Sequence, residues 1–283
     1  MGTPMRRPGS GRPKRRRSDR LQRWVRRATS SLPTESYLAR RFPDDGRTLA
    51  LVAVYRHKNA GHLARLLADA VPQVALWALD EVHPDLAHVT VGSGPGGRFE
   101  LLGRCLDTLT LDESAWLVIA DDDVRFSRGD LRSLARIAGA VGLDICQPAH
   151  EWNSHSSRRV NRSRPLMLAR DTGFVEIGPI VLMDDRARRL ALPLPTRTLM
   201  GWGVDVEWTT LQRQGIRLGV VDAVRVEHLG AVAADYGTAA ERQALDDSLA
   251  AAGLTSIDEA IATTRRWTLT YPLRRRAVRP ARW

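Results

Sequence analysis

The sequence predicts an α/β fold, a single domain with a mostly parallel central sheet flanked by helices. Three observations carry this expectation. Short apolar runs that suit buried strands stand at 49–55, 74–79 and 116–120. Stretches of roughly 10–13 residues with leucines at helical spacing lie between such runs. The strand-like runs lead into aspartates or a glycine-rich loop, as strands that deliver side chains to one sheet edge do.

The first strand is Leu49-Ala-Leu-Val-Ala-Val-Tyr55, followed by a turn at Lys58-Asn59. A helix over 61–71 places Leu63, Leu66, Leu67 and Ala70 on one face. A second strand over 74–79 ends at Asp80, and a third is expected over 88–91. The loop Gly92-Ser-Gly-Pro-Gly-Gly97 precedes a helix over 98–109, and a fourth strand over 116–120 runs into Asp121-Asp122-Asp123. The second half is more mixed. Helices are expected at 131–141, 204–214 and 239–252, with strands at 143–147, 173–183, 218–221 and 224–226.

At 283 residues the chain can build a sizeable core, and 43% hydrophobic with 27% charged residues fits a globular protein. No uncharged apolar run approaches the ~20 residues of a membrane-spanning helix. Cys105 and Cys146 have no metal-ligand spacing and read as core thiols of a reducing compartment, so a cytoplasmic location is expected. The net charge of +11 is unevenly placed. Residues 1–30 carry eleven Arg or Lys against one Asp, and 265–283 carry seven Arg and no acid, leaving the segment between them at −6. Residues 1–20 read as disordered, with a short basic helix over 21–31. Basic tails of this kind either stay solvated or touch anionic surfaces, including the inner face of a membrane.

Carboxylates that directly follow buried parallel strands reach the crevice where such sheets bind ligands. Asp80 and the Asp121–Asp123 run both do so. In an extended segment Asp121 and Asp123 face the same way, offering two hard oxygens to a cation such as Mg²⁺ or Mn²⁺. The alternative for the triplet is a solvated acidic turn. The Gly92–Gly97 loop, with Arg98 opening the next helix, suits a phosphate, or is simply a flexible turn. Gly201-Trp-Gly-Val-Asp-Val-Glu-Trp208 implies a tight turn with an aromatic wall and two carboxylates, Asp205 and Glu207, at a helix start. Either can take a proton from an attacking hydroxyl, or Asp205 can complement the helix dipole. His228 is a structural residue or a third metal ligand. The Arg158–Arg164 segment reads as a mobile polar loop that clamps a phosphate or is solvated.

Taken together, these motifs resemble GT-A glycosyltransferases, which pair an Asp-x-Asp motif after a strand with a downstream acidic motif and a late metal-binding His. The order Asp121-Asp122-Asp123, Gly201 to Glu207, His228-Leu-Gly230 matches, and Val54-Tyr-Arg-His-Lys-Asn59 is similar to the first strand and loop of Golgi galactosyltransferases. A closer similarity, over roughly 48–232, is to a family of uncharacterised glycosyltransferase-like proteins known only as a domain of unknown function. It rests on Asp144-Ile-Cys-Gln-Pro-Ala149, Gly173-Phe-Val-Glu-Ile177, Gly201-Trp-Gly-Val-Asp205 and the stretch from Gly219 to Gly230.

The resemblance implies a nucleotide half at 48–125 and an acceptor half at 126–232; a helical segment at 233–264 and the basic tail at 265–283 lie outside it. It implies Asp121, Asp123 and His228 as ligands of Mn²⁺ or Mg²⁺, and Tyr55, Arg56, Asp80, Arg98, Asp121 and Asp122 as donor-nucleotide contacts. Asp205 becomes the catalytic base of an inverting reaction with Glu207 in reserve, and Glu176 and Trp202 face the acceptor, the alternative for Glu176 being a structural role. The implied partners are a UDP- or GDP-sugar and a glycan, lipid-linked or small-molecule acceptor. One departure from the Golgi enzymes is that Val206 separates Asp205 from Glu207, where they carry a denser acidic cluster.

Two other functions fit parts of the sequence. Arg-rich tails bind nucleic acid through charge, but the acidic body and the absence of aromatic residues interleaved with the tail arginines argue against a specific nucleic-acid partner. A metal-dependent phosphohydrolase also uses Asp-x-Asp after a strand. The haloacid-dehalogenase-like pattern, however, has a Thr two residues after the second Asp, where this chain has Val124-Arg125. A non-catalytic sugar-binding relative is the third alternative, opposed by the retained Asp, Asp and His.

Overall fold

A computed structural model describes residues 35–68, 71–152, 154–156, 158–230 and 237–268. The tail at 1–30, the short helix expected at 21–31, and residues 269–283 lie outside the described residues.

The strands are β1 (Leu49–Tyr55), β2 (Gln73–Ala78), β3 (Thr90–Ser93), β4 (Trp116–Ala120), β5 (Val124–Arg128), β6 (Ile145–His150), β7 (Met167–Thr172), β8 (Ile180–Met183), β9 (Leu218–His228) and β10 (Thr263–Thr268). The helices are α1 (Glu35–Arg41), α2 (Ala60–Leu67), α3 (Arg98–Leu106), α4 (Leu131–Val141), α5 (Asp185–Ala191), α6 (Val204–Thr210), α7 (Ala239–Ala252) and α8 (Ile257–Ala260). All the strands join one sheet in the order β10-β7-β9-β6-β8-β4-β1-β2-β3, with β5 pairing β9 off that path.

The block β3-β2-β1-β4 is parallel throughout, and β6 runs parallel to β9. Between these parallel pairs β8 is antiparallel to both β4 and β6. From β1 the chain moves outward to β2 and β3 and then returns to β4 on the other flank of β1. The carboxyl ends of β1 and β4 therefore flank a topological switch point, where open α/β sheets bind ligands. The register Ala53↔Ala120 brings Arg56 and Asp121 to that edge together.

Both faces of the parallel block are covered, which explains why its strands read as continuous apolar runs rather than alternating ones. Leu51, Ala53, Tyr55, Trp116, Val118 and Ala120 pack beneath α1, α2 and α4. Val52, Leu117 and Ile119 point the opposite way, against Phe99 and Leu102 of α3 and Val204 and Trp208 of α6. α4 begins at a reciprocal cap in which Ser133 N donates to Asp130 Oδ1 at 2.6 Å and Asp130 N donates to Ser133 Oγ at 2.9 Å. It ends at Gly142, φ 71°.

The ordered body extends past the boundaries that charge and motif spacing suggest. α1 buries Leu38 and Phe42 in the core, upstream of residue 48. β10 crosses the 264/265 boundary and buries Trp267 in the core, with Arg217 over its ring. The expected strand over 173–183 is two elements: residues 173–179 form a loop and only β8 is extended. The two short strands expected at 218–221 and 224–226 are one strand, β9. Its Asp222, which reads as a break, is fully buried and paired with Arg170 of β7, Nε to Oδ2 at 2.7 Å. β5, β7, β10, α1, α5 and α8 are additional to the elements read from the sequence. Cys105 and Cys146 are free, buried core thiols, and burial pushes Cys105 up to about 12.

Candidate functional site: an Asp-Asp-His cluster at the sheet switch point

β4 is a fully buried strand that ends in three carboxylates. Each carboxylate has a different partner. Asp122 turns back to β1, where its Oδ2 accepts from Arg56 N at 2.7 Å, and Asn59 donates to it as well. Burial first, then the neighbouring Asp123 and Asp121, push its carboxyl above the usual range against those two hydrogen bonds. It ties the two strand ends of the switch point together. Asp121 accepts from Arg98 through Oδ1 at 2.6 Å, and Arg98 also donates to Ile177 O at 3.1 Å.

Asp123 reaches His228 because the chain doubles back. After the turn, β5 pairs antiparallel with the end of β9, with Val124 opposite His228, and Leu229 N donates to Asp123 O at 2.9 Å. His228 Nε2 lies 3.1 Å from Asp123 Oδ1 and 3.8 Å from Asp121 Oδ2. Burial raises Asp123, but the His228 hydrogen bond and charge outweigh it and hold the carboxyl below its ordinary value. For His228, burial works against the imidazolium, while Asp123 and Asp121 raise it overall. Two glycines keep this cluster clear. A methyl group at Gly178 would collide with Asp121 Oδ2, and one at Gly230 with Asp123 Oδ2.

One ligand atom from each of Asp121, Asp123 and His228 lies within 4.8 Å of the others. Two carboxylate oxygens and one imidazole nitrogen, beside an open cavity, form a donor set that fits a divalent cation with free positions for a ligand's phosphates.

The cavity holds about 600 Å³. Arg56, Asn59 and Arg98 line it at the β1/β4 end together with all three aspartates. Beyond the cluster the wall comes from the loop before β8, the Gly-Trp-Gly turn and α6. Because β8 runs antiparallel to β4, its preceding loop emerges at the ligand-binding edge and delivers Glu176, Ile177 and Gly178 there. Glu176 is heavily tethered. Its N–H donates to Gln147 Oε1 at 2.6 Å, and its Oε1 accepts from Arg158 N at 3.1 Å and Ser156 Oγ at 3.2 Å. Its Oε2 faces the fully buried His150 Nε2 at 3.7 Å.

Asp205 lines the same cavity near Glu176 and Arg158, at the start of α6. The turn that presents it needs both of its glycines. Gly201 (φ 81°) and Gly203 (φ 97°) adopt left-handed backbone, and a Cβ on Gly203 would meet Ala244 O at 3.0 Å. Burial, then the Glu176 carboxylate, push Asp205 up to about 7, against its own backbone hydrogen bonds and Arg158. A carboxyl poised there exchanges protons near neutral pH.

Of the residues singled out from the sequence, the fold gathers Arg56, Arg98, Asp121, Asp122, Asp123, Glu176, Trp202, Asp205 and His228 around this cavity. Three expected site residues lie elsewhere. Tyr55 shares the parity of Leu51 and Ala53 and is fully buried in the core, its hydroxyl 3.0 Å from Thr90 Oγ1 and accepting from His83 N at 3.2 Å. Asp80 shapes the β1 loop from outside the cavity wall, accepting from His57 N at 2.8 Å. Glu207, two positions along the helix from Asp205, points to another face, where it pairs with Arg197 and accepts from Ser248 Oγ at 3.3 Å.

The 158–164 segment is a one-turn 3₁₀ helix at Arg159–Asn161 with Val160, Asn161 and Ser163 buried, and Arg158 alone of it enters the cavity wall. Gln147, His150 and Gly178 are residues around the site that the sequence does not single out. Gln147 lies inside the Asp144–Ala149 motif, which could have flagged it, whereas His150 carries no local signal at all.

No protein-family model matches the chain, and no curated protein matches it either. Solved structures do. The structure of GalNAc-T7 with UDP, GalNAc and Mn²⁺ matches with a TM-score of 0.55 at 10% identity, over 73% of this chain and 48% of that one. The chain thus spans about half the length of that relative. Mannosyl-3-phosphoglycerate synthase from Rubrobacter xylanophilus matches at TM-score 0.46 and 16% identity, covering 87% of this chain and 95% of that one. TarS 1–349 of S. aureus matches at 0.45 and 12%, covering 71% and 70%. At such identities the likeness is one of fold, and the fold of this chain is that of the GT-A glycosyltransferases.

Proposed function

We propose that this chain is a metal-dependent glycosyltransferase that moves a sugar from a nucleoside-diphosphate donor to a hydroxyl acceptor. The observation that carries the reading is the convergence of Asp121, Asp123 and His228 at the β1/β4 switch point, opening on a cavity with a proton-exchanging carboxylate in its wall. Its likeness in fold to a UDP- and Mn²⁺-bound transferase supports it. The separated motifs at 144–149, 173–177, 201–205 and 219–230 support a place among the uncharacterised glycosyltransferase-like proteins.

Asp121, Asp123 and His228 would hold Mn²⁺ or Mg²⁺, which supplies Lewis-acid neutralisation of charge on a departing diphosphate. Arg56 and Arg98 line the donor end and place positive charge beside a diphosphate. Arg98 also fixes the Asp121 carboxylate, so it orients the cluster as well as the donor. Asp122 keeps β1 and β4 in contact beneath the nucleotide. In the transfer the acceptor oxygen bonds to the anomeric carbon, the bond from that carbon to the diphosphate oxygen breaks, and Asp205 takes the hydroxyl proton. Glu176 is held rigidly enough to accept a hydrogen bond from the acceptor, and Trp202 forms an aromatic wall beside it.

The donor class is a UDP- or GDP-sugar. No helix among the described residues is long and apolar enough to cross a membrane. The Arg-rich tails suit peripheral contact with anionic lipid at the cytoplasmic face, and the acidic body disfavours nucleic acid.

The test is calorimetric titration of a panel of nucleotides and nucleotide sugars, with and without Mn²⁺, on the wild type and on Asp123→Ala. Metal-dependent binding of one nucleotide class that disappears in the variant is the expected result. Absence of nucleotide binding with every divalent metal would overturn the proposal.

A further inference from the structure

The cavity wall is mixed. Cationic side chains and carboxylates stand at the β1/β4 end, where Ile177 O accepts from Arg98. Met200, Trp202, Leu245 and Ile257 line it from the Gly-Trp-Gly turn, α7 and α8, in a wall that also holds Asp205, Glu176, Ser156 and Arg158.

The apolar residues of that wall also extend a defined hydrophobic cluster. Val160, Phe174, Val206, Leu249, Ala252 and Ile257 form the third core of the molecule, and Leu245 packs on it only partly buried. The cluster reaches the cavity wall through the partly buried Leu245 and the buried Ile257. Two exposed leucines stand next to lining residues: Leu199, 58% exposed, precedes Met200, and Leu229, 40% exposed, lines the cavity beside His228. Apolar surface left next to the half-buried Asp205 carboxylate is unfavourable unless something apolar covers it.

We propose, resting on the transferase reading above, that the acceptor is an amphiphile: a hydroxyl on an apolar carrier. The carrier lies against Met200, Trp202, Leu245 and Ile257, and the hydroxyl is thereby delivered to Asp205. A free, fully hydroxylated sugar leaves that wall wet and loses the contribution of burial. An alkyl or isoprenoid chain and a small aromatic aglycone share the required chemistry.

The experiment uses the full chain with its methionine and isoleucine methyl groups labelled for NMR. Alkan-1-ols from butanol to octanol, and benzyl alcohol as the aromatic arm, are titrated in the presence of UDP and Mn²⁺. The expected result is a shift of the Met200, Ile177 and Ile257 methyl resonances, with Kd falling about four-fold per added methylene. Leu245→Ser is expected to weaken octanol binding about five-fold or more, while Leu245→Met, which keeps the apolar surface, restores it. A steep gain along the alkanols points to a lipid carrier, and benzyl alcohol binding tighter than hexanol points to an aromatic one; both support the proposal.

A Kd independent of chain length, or a chain-length gain unchanged in Leu245→Ser, overturns it. Unaltered melting of both Leu245 variants shows that they fold. UDP and Mn²⁺ binding, measured separately by calorimetry, reports on the transferase reading. If it persists while the alkanol arm fails, the acceptor inference falls and the transferase reading stands.

Discussion

Asp123 and His228 meet at 3.1 Å although one follows the fourth strand and the other closes the ninth. The contact exists because β5 folds straight back from the aspartate turn and pairs with the end of β9, so sheet register sets the spacing of the cluster. A cation held by this cluster would depend on strand pairing as much as on its ligands.

Asp123→Ala and His228→Ala are each expected to weaken Mn²⁺ binding by at least about 100-fold, read by paramagnetic resonance of the free ion. Gly178→Ala adds a methyl group against Asp121 Oδ2 and should lower metal affinity roughly ten-fold while leaving all three ligands in place. Unchanged affinity in the His228 variant would remove that residue from the site.

The pH dependence should follow Asp205. As a base it must be ionised, so transfer should rise with pH up to about 7 and level off above. Glu176→Gln removes a negative neighbour and should move this limb to lower pH, whereas Arg158→Gln removes a positive one and should move it higher. Rate profiles of the three proteins test this, and shifts of the same sign in both variants would contradict it.

Asp205 also links stability to pH. Its folded value is raised above the ordinary 3.8, so folding favours the protonated form. Its relative contribution is full below the unfolded value and is lost as pH rises toward about 7. Asp205→Asn should therefore melt higher than the wild type at pH 8, with the gap closing by about pH 4. Melting curves at both pH values are the measurement.

Gly203→Ala places a Cβ on left-handed backbone and against Ala244 O, and should destabilise the chain by about 2 kcal/mol or more in urea unfolding. Activity should fall further than stability explains, because Trp202 and Asp205 flank the same turn.

Arg170 and Asp222 form a fully buried pair, and Arg170 also donates to Val160 O at 2.8 Å. Arg170→Met alone leaves a buried carboxylate unpaired and should destabilise by roughly 3–5 kcal/mol. Adding Asp222→Asn should recover part of that loss. A double-mutant cycle in urea gives the coupling, and purely additive losses would show that the two side chains act independently.

The legible parts of the fold are those whose local pattern agrees with their environment. β1 and β4 are apolar on both faces, α4 and α7 match their expected spans, and the aspartates sit directly on a strand end. β5 was legible in principle, since Val124 and Phe126 point inward between exposed Arg125 and half-buried or exposed neighbours, a period-two pattern too short to stand out. β7 was not, because Arg170 and Asp171 mark a loop unless their partners Asp222 and Arg217, distant in sequence, are known. The same buried pair hid the continuity of β9. At the site, motif order pointed to the cluster. Orientation did not follow from it: Tyr55 is turned inward by strand parity and Glu207 aside by helix rotation, and neither is visible in composition.

Along its main path the sheet ends in two outer strands among the described residues, β3 and β10, and an open strand invites pairing with a second molecule. Both are poor templates for it. β3 is four residues long, and Gly92 within it lies so close to the Trp77 ring that no side chain fits. β10 is interrupted by two register shifts and displays Arg265 and Arg266 to solvent. Edge arginines that read as the start of a charged tail thus also guard a broad sheet against edge-to-edge aggregation.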